Sequence, residues 1–184
     1  IIKSMEEELK GNVKFFSQPA EETIGGAERM IKEGCLEEPY VDVVLGLHVS
    51  PNIDTGVVQL KYGKVNASSD TIIIVVKGKS AHGANPEIAV DPVVISANII
   101  MALQTIVSRN ISPQEATVFT VGSIHGGTKG NIIPEEVTME CILRTLDEDI
   151  RKYFKERIIS IVEDISRAYG GYGQVIIEEG YPSL

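Results

Sequence analysis

This 184-residue chain has no long apolar run, no basic stripe and no cysteine pattern, and each absence removes a class of function. The longest apolar stretches, Thr71–Val76 and Val93–Leu103, fall well short of the ~20 residues that a membrane helix needs. The opening residues lack a charged start, an apolar core and a small-residue cleavage site, so no signal peptide is expected from them. Lys and Arg total 17 against 26 acids, a net charge of −9, which argues against nucleic acid as a partner. Cys35 and Cys141 stand alone, without a Cys-x-x-Cys motif. Two cysteines make no disulfide framework, and the cytoplasm is the expected compartment. Gly78-Lys79-Ser80 ends like a phosphate-binding loop, but Ile73 stands where the earlier glycine is required, which excludes that kind of nucleotide site. No Gly-x-Ser-x-Gly elbow presents a nucleophile.

What is present divides into two grammars. Residues 1–62 alternate helix and strand. Ile1–Lys10 reads as the tail of an amphipathic helix without its cap, so the chain is expected to begin inside an element. Val13–Phe16 reads as a strand, Gly25-Gly26 as a helix start, Val41–Leu47 as a second strand and Gly56–Leu60 as a third. Strand, helix, strand is the right-handed crossover of a parallel sheet. Residues 63–178 change to β-α-β-β-α-β. The β-branched run Thr71–Val76 comes first. Asp91-Pro92 caps a helix that is apolar around much of its circumference and stops before Pro113. Ala116–Ile124, the Gly-rich loop His125–Asn131 and the alternating strand Val137–Leu146 follow. A second helix starts near Asp147 with an apolar stripe at Ile150, Phe154, Ile158, Ile161 and Ile165, and Gly170-Gly171 ends it before the strand Gln174–Glu178. The order predicts a ferredoxin-like sandwich, two helices on one face of a four-stranded antiparallel sheet. The expected fold class is therefore an α/β unit followed by an α+β ferredoxin-like domain, with residues 179–184 as a link.

Candidate chemistry collects at loops. Glu21 and Glu22 follow an apolar run in Gln18-Pro19-Ala20-Glu21-Glu22, and His48 ends the next one. Both places would lie at the carboxyl edge of a parallel sheet, where open α/β sheets put ligands. A carboxylate and an imidazole there make half of a zinc-type site. A Glu-Glu pair alone reads as a solvated helix start, where acids suit the dipole; the Gly25-Gly26 start and His48 shift the balance to a site. His82 sits among small residues in Ser80–Pro86 and could donate to a developing oxyanion; the plain alternative is an exposed loop histidine. Gly126–Asn131 offers backbone N–H groups and a carboxamide, and Arg144 could pair with a substrate carboxylate. Their plain alternatives are a connection and a surface ion pair.

Four segments together resemble the M20 metallopeptidase and amidohydrolase family, in the branch of hippurate hydrolases and N-acyl-amino-acid amidohydrolases. They are QPAEETIGGAERMIKEG (18–34), GLHV (46–49), SAHGANPEIAVDP (80–92) and GGTKGNIIPEEVTMECILRTLDE (126–148). The resemblance implies hydrolysis of an amide bond in N-acyl amino acids or small peptides through a metal-activated water. It implies Glu21 as the general base, and Glu22 and His48 as ligands of a divalent metal (Zn, Mn, Co or Ni). His82 resembles the histidine that steadies the tetrahedral oxyanion in a partner's active site. Asn131 and Arg144 are similar to the residues that hold the substrate's carboxylate side. It also implies that residues 63–178 are a lid that dimerises and that residues 1–62 are a fragment of the catalytic domain. The family's upstream metal motif and distal histidine are not in this chain, so it is expected to be an internal piece, inactive and weakly metal-binding alone. A rival expectation is a non-catalytic ferredoxin-like module for dimerisation or small-ligand binding, which accounts for residues 64–179 but not for Glu21, Glu22 and His48.

Overall fold

The computed structural model describes residues 2–20 and 25–184. The chain divides into two compact units, Ile1–Val58 and Gln59–Leu184. In the first, a 3-10 segment spans Ile2–Glu8 with a kink at Met5, and a short helix, α1, spans Ala27–Lys32. The strands expected at Val13–Phe16, Val41–Leu47 and Gly56–Leu60 are not formed. A strand is held by hydrogen bonds to its neighbours, and the described residues supply no ladder there. Their apolar side chains are accordingly uncovered, with Leu45 92% and Leu47 89% exposed. Residues 12–16 and 39–45 instead line one cavity of about 500 Å³. Lys14 Nζ joins its sides by donating to the Glu38 carbonyl at 3.0 Å.

The second unit carries the sandwich. Its main strands are β1 (Asp70–Lys77), β3 (Thr117–Gly126), β5 (Glu136–Thr145) and β6 (Tyr172–Glu179), in spatial order β3-β5-β1-β6 and all antiparallel to their neighbours. Two short strands, β2 (Ala81–His82) and β4 (Ile132–Ile133), pair separately. The helices are α2 (Pro92–Thr105) and α3 (Glu148–Ala168). This is the β-α-β-β-α-β order with the ferredoxin-like strand arrangement.

Local chemistry starts each element. Asp91 accepts from the Val93 and Val94 amides at 2.8 and 3.3 Å and opens α2 behind Pro92. Asp147 accepts from the Asp149 and Ile150 amides at 2.9 Å and opens α3. Such side-chain caps satisfy N–H groups that have no partner inside the helix. β1 alternates strictly: Ile72, Ile74 and Val76 are fully buried, and Ile74 faces Met139 on one side and Val175 on the other. Ile95, Ile99 and Leu103 of α2 and Phe154, Ile158 and Val162 of α3 close over that face in one core. The Phe119 and Phe154 rings meet at 5.3 Å within it. The helical path of α2 runs on through a π segment, Ile106–Asn110. The resulting 19 residues, Pro92–Asn110, are long and apolar enough to cross a membrane, longer than the apolar run alone suggested. Ile95, Ser96, Ile99, Leu103 and Ile106 are buried, while Val93, Val94 and Met101 on the same stretch are exposed.

A buried ion pair lies inside the sandwich. Asp70, the first residue of β1, is completely buried. Arg151 grips it twice, Nε to Oδ2 at 2.8 Å and Nη2 to Oδ1 at 2.7 Å. Lys155 Nζ lies 3.2 Å from Oδ1 and 2.9 Å from Glu179 Oε1. Burial pushes the Asp70 carboxyl up, but hydrogen bonds and charge from Arg151 and Lys155 outweigh it and hold the group below the usual carboxylate range. Asp70→Asn keeps the shape and strands Arg151, so this unit is expected to lose about 3–5 kcal/mol. The Asp70 pKa is lower folded than unfolded. Its contribution is therefore present above about pH 4, the ordinary carboxylate range, and is lost as pH falls through the folded value. Urea midpoints of wild type and variant should differ at neutral pH and converge in acid; a gap that stays constant would contradict the ion pair.

Candidate functional site

The end of the sheet where β1 finishes carries the first group of candidate residues. Beyond Lys77 the chain is pinned at each step. The Gly78 amide donates to the Glu135 carbonyl at 2.8 Å, and Lys79 exchanges backbone bonds with Val90 at 2.8 and 3.0 Å. The Ser80 hydroxyl donates to the Ile133 carbonyl at 2.8 Å. Ala81 and His82 then pair with Ile133 and Ile132, and the Gly83 amide donates to the Asn131 carbonyl at 2.8 Å. His82 and Asn131, far apart in sequence, are thereby neighbours at one tip of the sandwich. Gly83 permits this approach: a Cβ there would stand 3.2 Å from the Asn131 carbonyl oxygen and 3.3 Å from its carbon.

The chemistry of that tip follows from one hydrogen bond. His82 Nδ1 accepts from the Ala84 amide at 3.1 Å. A neutral imidazole whose Nδ1 is an acceptor carries its proton on Nε2. His82 is exposed, so that Nε2–H is a donor held ready on the surface. Asn131, whose backbone lies against Gly83, carries a carboxamide with two more N–H donors and no protein partner among the described residues. Donors fixed before the reaction suit an oxygen that gains negative charge.

Arg144 lies elsewhere. It is exposed near the far end of β5, opposite Val118, and has no ion-pair partner among the described residues. Eight residue steps separate it from Glu136 at the tip end of that strand, about 26 Å at ~3.3 Å per residue. Within one protomer Arg144 therefore does not join His82 and Asn131.

The expected metal half-site is only partly visible. Glu21 and Glu22 lie outside the described residues. His48 is exposed and lies outside any helix or strand. Among the described residues no group of three His, Cys, Asp or Glu side chains comes together as a metal site. A lone imidazole does not meet the three or four protein ligands such an ion takes, so the described residues do not by themselves fit a metal. Cys141 is no nucleophile: burial and the nearby Glu140 charge push its thiol up to about 12.

Sequence reasoning missed the Asp70–Arg151–Lys155 cluster. Two signals were present: an acid opening an otherwise apolar strand, and an arginine in the first turn of a helix, where the dipole disfavours a cation.

Residues 65–170 match the family model described as the peptidase dimerisation domain. Along its full length the chain is 39% identical to N-acetyl-L-cysteine deacetylase of Bacillus subtilis, covering 44% of that protein. It is 38% identical over 177 residues to thermostable carboxypeptidase 2 of Saccharolobus solfataricus, which is 95% of this chain and 44% of that one. A solved dinuclear metal-binding peptidase of the M20 family from Bacillus subtilis superimposes with a TM-score of 0.77 at 30% identity, over 100% of this chain and 45% of that one. The chain spans less than half the length of the curated relatives it matches.

Gly83→Ala tests the tip geometry directly. Amide chemical-shift changes should be confined to residues 80–85 and 129–134, with thermal unfolding nearly unchanged. Changes spread through the core, or none at the tip, would contradict the close approach of Gly83 to Asn131.

Proposed function

The chain belongs to the M20 family through its dimerisation domain, and on that premise we propose that it is part of a metal-dependent amidohydrolase that works as a homodimer. The substrates are N-acyl amino acids or small peptides, the classes that the names of its relatives point to. Residues 63–178 form the lid that dimerises, residues 1–62 belong to the catalytic domain and residues 179–184 return to it. The unpaired Cys35 and Cys141 suit a cytoplasmic enzyme.

The observation that carries this reading is the separation of Arg144 from His82 and Asn131. An acyl amino acid is far shorter than the length of β5, so one protomer cannot present all three residues to it. A second copy removes the difficulty. β3 is an edge strand, and Val118 and Ile124 on it are half exposed. α2, which packs over the β3 side of the sheet, exposes Val93, Val94 and Met101. An unpaired edge beside an apolar helix flank suits a matching copy. Two β3 strands related by a two-fold axis run antiparallel, so the tip of one copy lies toward the Arg144 end of the other. In that arrangement His82 donates to the oxyanion and Asn131, in place of the carboxylate role that the resemblance implied, donates beside it, while Arg144 of the other copy pairs with the substrate's carboxylate. Glu21 is the general base, and Glu22 and His48 contribute to holding the divalent ion, which is Zn, Mn, Co or Ni. When bound, that ion supplies an activated water.

The test uses the full-length enzyme, reconstituted with metal, on a panel of N-acyl amino acids. Glu21→Gln should abolish turnover while metal stays bound. His82→Ala should cost about 10²–10³-fold in kcat, and Arg144→Ala should mainly raise KM. Mixing the last two variants should restore about a quarter of wild-type activity, since half of randomly paired dimers carry one intact composite site. No restoration would place His82 and Arg144 in the same protomer's site, and no turnover of any acyl amino acid would remove the reaction itself.

A further inference from the structure

The ends of the sandwich leave it together, at the end of the sheet away from His82. Asp70 begins β1 and pairs with Glu179, the last residue of β6. The pairing continues beyond both strands. The Ser69 amide donates to the Tyr181 carbonyl at 3.1 Å, Asn66 to Leu184 at 3.0 Å, and Leu184 back to Asn66 at 2.9 Å. Residues 65–69 and 180–184 thus form a two-stranded ribbon. Gly180 is required in it, because a Cβ would stand 1.8 Å from the Ser69 carbonyl oxygen.

A chain of ionic contacts braces this ribbon against α3. The Arg151 guanidinium that grips Asp70 also donates Nη2 to the Gly180 carbonyl at 3.0 Å and Nη1 to Glu148 Oε2 at 3.1 Å. The other Glu148 oxygen accepts from the Ser183 amide at 3.3 Å. The Gly180 amide donates to Asp70 Oδ1 at 3.2 Å. Lys64, at the start of the ribbon, donates its ammonium to the Leu146 carbonyl. Both arms are therefore tied to the loop and first turn that open α3.

We propose that Arg151 and Glu148 are positioning residues, which fix the direction in which the ribbon leaves the sheet and so set where His82 and Asn131 stand. This rests on the reading that the tip serves an active site. Stability alone is a poor reason for such a cluster. A buried ion pair commonly does no better than well-packed apolar side chains, and a cation in the first turn opposes the helix dipole. Leverage supplies a better reason. Seven residue steps lie between Asp70 and Lys77, about 23 Å at ~3.3 Å per residue, so a play of about ten degrees in the ribbon would carry the tip roughly 4 Å. A misplacement of about 1 Å can already cost about a hundredfold in rate.

The experiment uses the full-length enzyme with Glu148→Gln and Arg151→Lys. Glu148 is half exposed, and its replacement leaves the Asp70–Arg151 pair whole, so that variant is expected to fold. Three quantities are measured: kcat and KM on an N-acyl amino acid, thermal unfolding, and the distance distribution between spin labels at Leu184→Cys in the ribbon and Lys129→Cys at the tip in a Cys35→Ser background. The proposal expects a broader distribution in both variants, with kcat per folded molecule down about tenfold and KM changed less than about twofold. It is overturned if the distributions keep their wild-type width. It is equally overturned if they broaden without loss of kcat, or if only the unfolding temperature falls. A wild-type enzyme that cleaves no acyl amino acid would sink the proposed function, and the label widths would still decide whether the brace exists.

Discussion

Asp70 puts a full negative charge where no water reaches it, and that placement constrains the rest of the second unit. A buried carboxylate is tolerable only if its oxygens are fully answered by hydrogen bonds and opposite charge. The answer comes from Arg151 and Lys155, one turn apart on α3, and from the Gly180 amide after β6. Satisfying one group therefore fixes three elements at once: the start of β1, the first turns of α3 and the exit from β6. Apolar packing in the core, being non-directional, tolerates small slides of a helix over a sheet. A guanidinium fork on a carboxylate does not, because both bonds lose their geometry together.

The sandwich was legible in the sequence because its signals are local. Asp91 and Asp147 cap their own helices through amides two and three residues on, and the alternation of Val137, Met139, Cys141 and Leu143 in β5 records its burial residue by residue. The first unit was less legible for the opposite reason. Val41–Leu47 has the composition of a central strand, but composition records a preference for neighbours and cannot supply them. The site was legible by residue type and not by place. His82 and Asn131 come together only because β2 pairs with β4. The distance of Arg144 from both is a property of strand register, invisible until the order of the sheet is known. Arg151 reads as an ordinary surface residue until Asp70 is seen beneath it.

The rival reading, a pairing module without chemistry, accounts for the sandwich as well as the enzyme reading does. It does not account for the preparation of the tip. Nothing about pairing calls for an imidazole whose Nδ1 is occupied by the Ala84 amide, or for a glycine that lets His82's turn lie against Asn131. These details set the direction of donors, which matters to a reacting oxygen and not to a dimer interface.

The two edges of the sheet are unequal. β3 carries a register shift between Val121 and Ser123, and each edge exposes apolar side chains, Val118 and Ile124 on β3 and Tyr172 and Ile176 on β6, but β6 alone ends in two acids, Glu178 and Glu179. A sheet with two equivalent sticky edges could add copies without limit and grow into a fibre. Acids at the end of β6 discourage a second copy from adding along that rim, so of the two edges β3 is the one that fits the proposed pair.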